Sequence, residues 1–278
     1  MKLIECPRDA MQGIHEFIPT NKKAAYINQL LKVGFDTIDF GSFVSPKAIP
    51  QLKDTAEVLA QLDLSNTKSE LLAIIANLRG AESACQFEEI QYLGFPLSIS
   101  EQFQLRNTNK SIEQALNIVS EIQNLCLKHN KKLVTYISMG FGNPYQEPYN
   151  DEVVGEFIDK LNAMEIGIIS LADTIGAAEP DLITKVFQTN LEAFPHIEIG
   201  AHFHSTPNTA KEKIAAAQTA GCIRFDSAIK GFGGCPMAKD DLTGNIATET
   251  LLEVLGDDLV IKDHFDMAMV MSLDVFPV

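Results

Sequence analysis

Short apolar runs alternate with amphipathic stretches about eight times along the 278-residue chain. Short apolar runs bounded by polar or turn residues are typical of buried strands, and longer amphipathic stretches are typical of helices. The pattern predicts eight strands, at residues 2–5, 37–40, 71–76, 90–93, 133–138, 168–171, 197–202 and 224–226. Helices are predicted in the intervals between these strands.

The clearest predicted helix covers residues 112–127. Ser111 precedes it as an N-cap, because a serine side chain accepts a hydrogen bond from the free N–H groups of a first helical turn. One apolar stripe follows at helical spacing, formed by Ile112, Ala115, Leu116, Val119, Ile122 and Cys126. A helix with such a stripe packs one face against a neighbouring layer.

Repeated strand–helix units predict an α/β fold of the TIM (β/α)8 barrel type. No Pro/Gly/Ser-rich linker interrupts the pattern, so we expect one catalytic domain over residues 1–278, with the last ~20 residues as an appended segment. A doubly wound open sheet is the alternative architecture, but it usually has a Gly-rich phosphate turn after its first strand. Here Cys6, Pro7, Arg8 and Asp9 follow the first strand instead.

The charge is strongly acidic, with 22 Lys and Arg against 37 Asp and Glu and a net charge of −15. This charge argues against nucleic acids and anionic membranes as partners. Five cysteines, an odd number without CxxC spacing or a secretory leader, predict a reduced cytoplasmic location. No apolar stretch approaches the roughly 18 residues that span a bilayer, so we expect no membrane segment.

The seventh predicted strand ends in the sequence His202-Phe203-His204. Residues i and i+2 of a strand point to the same side, and neutral imidazole is the commonest protein ligand of transition metals. Taken alone, the pair could equally be two packed histidines at a strand end. In a barrel, however, the carboxyl ends of all strands meet at one face, so residues that follow other strands are expected to lie nearby.

Polar residues follow several of the predicted strands. They are Arg8, Asp9 and Gln12 after the first strand, Asp39 and Ser42 at the second, Asp173 and Thr174 after the sixth, and Asn245 beyond the eighth. A carboxylate, two imidazoles and an amide oxygen around one point suit Mg, Mn, Co or Zn with open positions for substrate and water. Each residue also has an ordinary alternative: a solvated Arg8–Asp9 ion pair, a turn at Asp173, or a helix cap at Asn245.

A glycine-rich segment at residues 231–238 follows the eighth strand and contains Cys235. Glycines in a connection of this length are typical of an active-site loop that moves, here with one thiol. The alternative interpretation of Cys235 is a small buried hydrophobic residue.

At these residues the chain resembles the 3-hydroxy-3-methylglutaryl-CoA lyases, which belong to the DRE-TIM metallolyases. That superfamily consists of metal-dependent carbon–carbon lyases and Claisen-type synthases on TIM barrels. The resemblance covers nearly the whole chain and is carried by the segments 7–9, 42–47, 100–103, 169–176, 202–204, 233–236 and 244–249. Of these, Ser-Phe-Val-Ser-Pro-Lys at 42–47 and Gly-Gly-Cys-Pro at 233–236 are specific to the lyase branch.

The resemblance implies a retro-Claisen cleavage of 3-hydroxy-3-methylglutaryl-CoA to acetyl-CoA and acetoacetate, with Mg or Mn as cofactor and Co or Zn as alternatives. It implies an acyl-CoA substrate and a homodimer. The implied metal ligands are Asp9, His202, His204 and Asn245. The implied catalytic residues are Arg8 on the developing enolate, Cys235 in proton transfer, Asp39 and Asp173. The implied substrate contacts are Gln12, Ser42, Thr174 and Gly234.

The chain also departs from the family pattern at Ala10, Asp39 and Ser205, where the family has Gly, Glu and Asp. Pro207 replaces a tyrosine, and Asn143 stands where the family often has cysteine. Two alternatives therefore stay open. One is an aldolase, lyase or Claisen-type synthase of the same superfamily that acts on another 3-hydroxyacyl-CoA or a 2-oxo acid. The other is a non-catalytic protein that binds a metal or CoA.

Overall fold

The computed structural model of the chain describes residues 1–234 and 243–276. Within these residues, eight parallel strands form a closed barrel. The strands are β1 (Lys2–Glu5), β2 (Thr37–Ser42), β3 (Glu70–Ile74), β4 (Ile90–Ser98), β5 (Lys132–Ser138), β6 (Ile168–Asp173), β7 (Glu198–Ser205) and β8 (Arg224–Ser227). The barrel closes because β1 pairs with both β2 and β8, and β7 pairs with both β6 and β8. This confirms the predicted TIM barrel and excludes the open sheet.

Helices follow the strands in chain order. They are α1 (Pro7–Gln12), α2 (Thr20–Val33), α3 (Thr55–Leu59), α4 (Leu78–Ala84), α5 (Glu101–Thr108), α6 (Ile112–Lys128), α7 (Glu152–Asn162), α8 (Pro180–Ala193), α9 (Ala210–Thr219), α10 (Thr248–Leu255) and α11 (Lys262–Val275), with short 3-10 turns at Pro50–Leu52, Ile229–Gly231 and Asp257–Leu259. No helix in the described part of the chain is long and apolar enough to span a membrane.

The positions of the predicted elements are confirmed, and their ends differ by a few residues. β4 continues to Ser98 and β7 to Ser205, because β5 and the neighbouring strands supply hydrogen-bond partners for these polar ends. β3 ends at Ile74, two residues before its predicted end. The helix expected from residue 112 begins there, and Ser111 accepts a hydrogen bond from the Gln114 N–H in a complete capping box.

A ninth strand, β9 (Gly244–Asn245), pairs antiparallel with the end of β7, and the sequence pattern does not predict it. Asn245 lies opposite His204, and Gly244 lies opposite Ser205. The following helix, α10, begins at Thr248, so the alternative of Asn245 as its cap is wrong. Gly244 lies so close to the chain that a Cβ there would be 2.4 Å from the Gly231 carbonyl oxygen, and only glycine allows that approach.

Apolar side chains form one layer inside the barrel and another layer outside it. Side chains that alternate along the strands meet inside the barrel, and Leu72, Ile74, Tyr92, Val134 and Tyr136 form this inner cluster. The larger cluster lies between the outer faces of the strands and the helices. At the amino-terminal ends of the strands, Glu198 accepts hydrogen bonds from Lys2 and from Arg224, so a polar layer lies there.

The C-terminal residues, predicted as an appended segment, form α11, which packs against α2. The ring of Phe276 meets the ring of Tyr26 edge-on, with centroids 5.6 Å apart. Gln29 of α2 donates a hydrogen bond to the carbonyl oxygen of His264 at 2.8 Å. Phe276 also stacks on Phe232, so α11 contacts the segment that follows β8.

Candidate active site

The two histidines of β7 lie on one side of the strand, with ring centroids 5.4 Å apart. Each ring is held through its Nδ1 atom. His202 Nδ1 lies 3.1 Å from the carboxylate Oδ2 of Asp226, and His204 Nδ1 lies 2.8 Å from the carbonyl oxygen of Thr174. Because both partners are acceptors, each Nδ1 carries the hydrogen, and each Nε2 keeps a free lone pair.

Asp9, on α1 directly after β1, completes a cluster with these histidines. Its carboxylate oxygen and one ring nitrogen of each of His202 and His204 lie within 4.8 Å of one another. The Nε2 atom of His204 is buried and has no hydrogen-bond partner among the described residues. A buried lone pair without a partner is costly, and a cation between these three groups would satisfy it. The donor set therefore fits a divalent metal ion.

Asn245 lies at the edge of this cluster. Its Nδ2 donates to Oδ2 of Asp9 at 2.7 Å and to the carbonyl oxygen of Phe232 at 2.9 Å. Its nitrogen, rather than its oxygen, therefore faces Asp9. Rotation of the amide by half a turn would present the oxygen as a ligand and would break the bond to Phe232. The residue lies where the sequence predicts the fourth ligand.

Arg8 lies beside Asp9 and is fixed by two carboxylates. Its Nε donates to Asp39 Oδ2 at 3.0 Å, and its Nη2 donates to the same oxygen. Its Nη1 donates to Asp9 Oδ1 at 2.8 Å and to the side-chain oxygen of Gln12 at 2.9 Å. Of the five N–H groups of the guanidinium, these contacts leave one, on Nη2, without a partner among the described residues. That group is a donor available to a bound anion.

The charges in the site are set by burial and by close partners. Burial lowers the pKa of Arg8, but Asp39 and Asp9 outweigh burial and raise that pKa, so the guanidinium stays charged. Burial raises the pKa of Asp9, but Arg8 and the two histidines lower it below its ordinary value. Burial also raises the pKa of Asp39, to about 6, against the opposing effect of Arg8.

The two histidines differ in the direction of their pKa shifts. Burial lowers the pKa of His202, but the hydrogen bond and charge of Asp226 outweigh it, and the net pKa is raised. Burial and the charge of His202 lower the pKa of His204. His204 is therefore neutral and available as a ligand at neutral pH, whereas an ion must compete with a proton for His202.

Asp173 lies at the end of β6 but outside the metal cluster. Its carboxylate accepts hydrogen bonds from the N–H groups of Ala177 and Ala178 and from the Nζ of Lys213 at 2.7 Å. Lys213 also donates to the carbonyl oxygen of His204 at 3.2 Å. Asp173 thus links the loop after β6 to the end of β7 through Lys213, and its predicted catalytic role stays a prediction.

The predicted substrate contacts fall into two groups. Gln12 joins the Arg8–Asp9 network through a 2.8 Å hydrogen bond from its Nε2 to Asp9 Oδ1. Thr174 provides the acceptor for His204, as described above. The hydroxyl of Ser42, by contrast, is used in local structure: its O–H donates to the carbonyl oxygen of Ile74 on β3, and its oxygen accepts from the N–H of Val44.

Two glycines of the segment after β8 lie close to the cluster and to β9. Gly233 has a φ of +87°, and a Cβ there would lie 2.8 Å from both Asn245 Nδ2 and the carbonyl oxygen of Asp9. Gly234, with a φ of +126°, lies against Gly244 in the same way. Cys235, the predicted loop thiol, lies outside the described residues.

Three residues of the site are missing from the sequence predictions. Asp226 ends the eighth predicted strand, and the rule that residues at strand ends converge would have found it. Cys6 directly follows the first strand, and the structure places its Sγ with His202 and Asp226 in a second group of possible ligand atoms. Tyr136, inside β5, meets the His202 ring edge-on at 5.5 Å, and a residue within a strand has no such signal.

A family model and two relatives in sequence all indicate one family for this chain. A family model described as HMGL-like matches residues 3–275. The chain is 35% identical over 266 residues to hydroxymethylglutaryl-CoA lyase YngG of Bacillus subtilis, covering 96% of this chain and 88% of that protein. It is 32% identical over 268 residues to a Pseudomonas aeruginosa protein named 3-hydroxy-3-isohexenylglutaryl-CoA/hydroxy-methylglutaryl-CoA lyase, with the same two coverages.

Solved structures agree with this result. The crystal structure of the Bacillus subtilis HMG-CoA lyase superposes with a TM-score of 0.91 at 33% identity, over 98% of this chain and 92% of that one. An HMG-CoA lyase from Acinetobacter baumannii, solved in complex with coenzyme A and 3-methylmalate, gives a TM-score of 0.89 at 29% identity over 99% of this chain and 91% of that one.

Proposed function

The chain belongs to the HMGL-like family, and from that membership we propose that it is a divalent-metal-dependent carbon–carbon lyase. The reaction is the cleavage of 3-hydroxy-3-methylglutaryl-CoA to acetyl-CoA and acetoacetate. The observation that carries the proposal is the cluster of Asp9, His202 and His204 directly beside Arg8. In this cluster both histidines are held through Nδ1, which leaves both Nε2 atoms for an ion.

Asp9, His202, His204 and, after rotation of its amide, Asn245 would hold the ion, for which we propose Mg or Mn. Bound there, such an ion supplies Lewis-acid chemistry that lowers the pKa of a coordinated alcohol. Asp226 and Thr174 fix the Nδ1 atoms of His202 and His204, and this holds the Nε2 atoms of both rings in place for the ion. This mixture of oxygen and nitrogen ligands suits several divalent ions, of which Co and Zn are the alternatives.

Arg8 is suited to stabilise the negative charge that forms during cleavage. When the tertiary hydroxyl of the substrate loses its proton, the neighbouring carbon–carbon bond breaks, its electron pair passes to the thioester as an enolate, and the former alcohol carbon becomes the ketone of acetoacetate. The one N–H of Arg8 that has no partner among the described residues is available to the enolate oxygen. Asp39 and Asp9 hold the guanidinium in place before the charge develops, and such preorganised donors stabilise transition states strongly.

The enolate carbon must then take up a proton to form acetyl-CoA. For this step we propose the thiol of Cys235 as the acid, on the ground of the family resemblance. The described neighbour Gly233 supports the proposal, because it lies against Asn245 and Asp9 and comes two residues before Cys235 in the sequence. A loop that closes over the site would also keep water from the enolate.

The acyl-CoA class of substrate is supported by the Acinetobacter baumannii relative, which was solved with coenzyme A. We propose that residues 1–278 act as one catalytic domain, in a homodimer and in the cytoplasm. Four buried free cysteines, Cys6, Cys85, Cys126 and Cys222, are consistent with a reducing compartment. A second candidate substrate is a 3-hydroxyacyl-CoA with a larger 3-substituent, which the name of the Pseudomonas aeruginosa relative favours.

The deciding experiment is a coupled assay of acetyl-CoA release from 3-hydroxy-3-methylglutaryl-CoA, with thiol reductant and Mg or Mn. We expect release with metal and none after EDTA treatment. The same assay on a 3-hydroxyacyl-CoA with a longer 3-substituent tests the second candidate. A folded, metal-loaded protein that releases no acetyl-CoA from either substrate would contradict the proposed function.

A further inference from the structure

A second group of ligand atoms lies beside the Asp9–His202–His204 cluster and is more deeply buried. The Sγ of Cys6, a ring nitrogen of His202 and a carboxylate oxygen of Asp226 lie within 4.8 Å of one another. Cys6 and Asp226 are 1% and 3% exposed. Oδ2 of Asp226 contacts His202, but its Oδ1 is buried without a hydrogen-bond partner among the described residues. That oxygen keeps a lone pair free for a cation, although the charge of Asp226 already interacts with the buried Arg224 guanidinium.

We propose that Cys6, His202 and Asp226 form a second metal site, which takes a thiophilic divalent cation such as Zn²⁺ or Cd²⁺. A thiolate, an imidazole and a carboxylate are ligands that Zn²⁺ uses in tetrahedral sites, with a fourth position left for water. The usual zinc–ligand lengths separate the ligand atoms by about 3.5 Å, so these side chains need move only by about an ångström. Binding replaces the thiol S–H bond with a sulfur–metal bond and releases the proton to solvent.

The residues around Cys6 favour a doubly charged ion that binds sulfur. Burial and the carboxylates of Asp226, Asp39 and Asp9 raise the pKa of the Cys6 thiol, and the charge of Arg8 lowers it. These three carboxylates favour a dication at this place, against the opposing charges of Arg8 and Arg224. Mg²⁺ prefers oxygen ligands and gains little from sulfur, whereas Zn²⁺ and Cd²⁺ bind thiolate strongly enough to displace the proton.

The two sites exclude each other because they share His202. A neutral imidazole has one hydrogen and one lone pair on its two ring nitrogens. Asp226 faces Nδ1, so an ion in the Cys6 site takes the Nδ1 lone pair and leaves the hydrogen on Nε2. An ion in the Asp9 site requires the opposite tautomer. We therefore expect a thiophilic ion at Cys6 to displace the ion that supports the proposed lyase reaction and to inhibit it.

Titration of the metal-free full-length protein with Cd²⁺ tests the site without any measurement of lyase activity, so failure of the proposed function would not affect the result. We expect one equivalent of Cd²⁺ to produce a thiolate-to-metal charge-transfer band in the ultraviolet. The band should be lost in Cys6→Ser and weakened in Asp226→Asn. It should persist in Cys126→Ala, which removes a buried thiol elsewhere, and in Cys235→Ala. Circular dichroism of each variant establishes that it is folded, and Cys6→Ala replaces Cys6→Ser if the serine variant is not.

Two outcomes would overturn the proposal. The first is a band of unchanged size in a folded Cys6 variant, and the second is a band lost in Cys235→Ala alone. Competition with Mn²⁺, followed by electron paramagnetic resonance, tests the shared histidine. We expect free Mn²⁺ to appear as the Cd²⁺ band grows. A band that reaches full size while Mn²⁺ stays bound would show that His202 is not shared.

Discussion

The buried carboxylate of Asp226 accepts the Nδ1 hydrogen of His202 at 3.1 Å. This contact links the residue that ends β8 to the first histidine of β7, and the two residues are also register partners in the sheet. Outer hydrogen bonds of this kind fix the tautomer and the orientation of a metal-binding histidine. Asp226 is thereby a positioning residue for the proposed ion.

Replacement of Asp226 by asparagine should weaken metal binding. The amide oxygen can still accept the Nδ1 hydrogen, but the negative charge that makes His202 a better ligand is lost. We expect Mn²⁺ affinity to fall by about 10- to 100-fold in a direct titration. Asp266→Asn, which changes an exposed carboxylate on α11, is the matched control. An affinity equal to that of the wild type would contradict the role of Asp226.

Replacement of His204 by alanine should abolish both Mn²⁺ binding and acetyl-CoA release. The Nε2 of His204 is the buried ligand atom of the cluster that has no hydrogen-bond partner among the described residues. His196→Ala is the control. His196 is an exposed histidine whose ring contacts Asn162 and is not part of the metal cluster. Retention of metal-dependent turnover in His204→Ala would remove this cluster as the centre of the reaction.

Replacement of Arg8 by lysine should lower kcat by about 100-fold, the effect expected when a preorganised donor to a developing oxyanion is removed. Lysine keeps the charge but cannot contact Asp39 and Asp9 together as the planar guanidinium does. Mn²⁺ affinity should change much less than kcat, which separates this effect from loss of the ion. The exposed Arg79→Lys is the control, and a kcat close to the wild-type value in Arg8→Lys would exclude the proposed role.

Much of this arrangement could be predicted from the sequence, because strand positions follow from short apolar runs and the ends of barrel strands converge. Asp9, His202 and His204 come together for that reason. Other features depend on contacts that no local pattern encodes. β9 forms because Gly244 fits against Gly231, and Asp173 turns to Lys213 of α9 rather than to the cluster.

Burial of Glu5 is another feature that the sequence pattern does not reveal. An isolated carboxylate at the end of an apolar strand is normally expected to face solvent, and here it is 1% exposed. Which face of a strand is covered depends on the packing of later elements, here the start of α10. The sequence therefore predicts the strand but leaves the environment of its last side chain open.

Gly233→Ala should impair the site without unfolding the barrel. A side chain at a φ of +87° costs about 1–2 kcal/mol, and its Cβ would also lie 2.8 Å from Asn245 Nδ2 and from the Asp9 carbonyl oxygen. Gly142→Ala is a close control, because its φ of +118° imposes similar strain while its Cβ meets nothing within 4 Å. We expect both variants to lose stability in thermal unfolding, Gly233→Ala at least as much as Gly142→Ala, and only Gly233→Ala to lose Mn²⁺ affinity. Equal affinities would show that the close approach has no consequence for the site.

The free energy of unfolding should fall as the pH rises, because of the buried Glu5. Its carboxyl group accepts hydrogen bonds from the Ile229 N–H and from the Thr248 hydroxyl. Burial raises the pKa of Glu5 from 4.5 to about 8, so the folded chain holds a proton that the unfolded chain has already released. Between these two pH values the free energy of unfolding should fall by up to about 1.4 kcal/mol per pH unit from this group. Glu5→Gln mimics the neutral acid, because its amide can accept from Ile229 and donate to Thr248. The test is urea unfolding of both proteins from pH 5 to 9. We expect the free energy of unfolding of Glu5→Gln, relative to the wild type, to increase up to about pH 8 and then to level off. A constant difference would mean that Glu5 is ionised in the folded protein throughout.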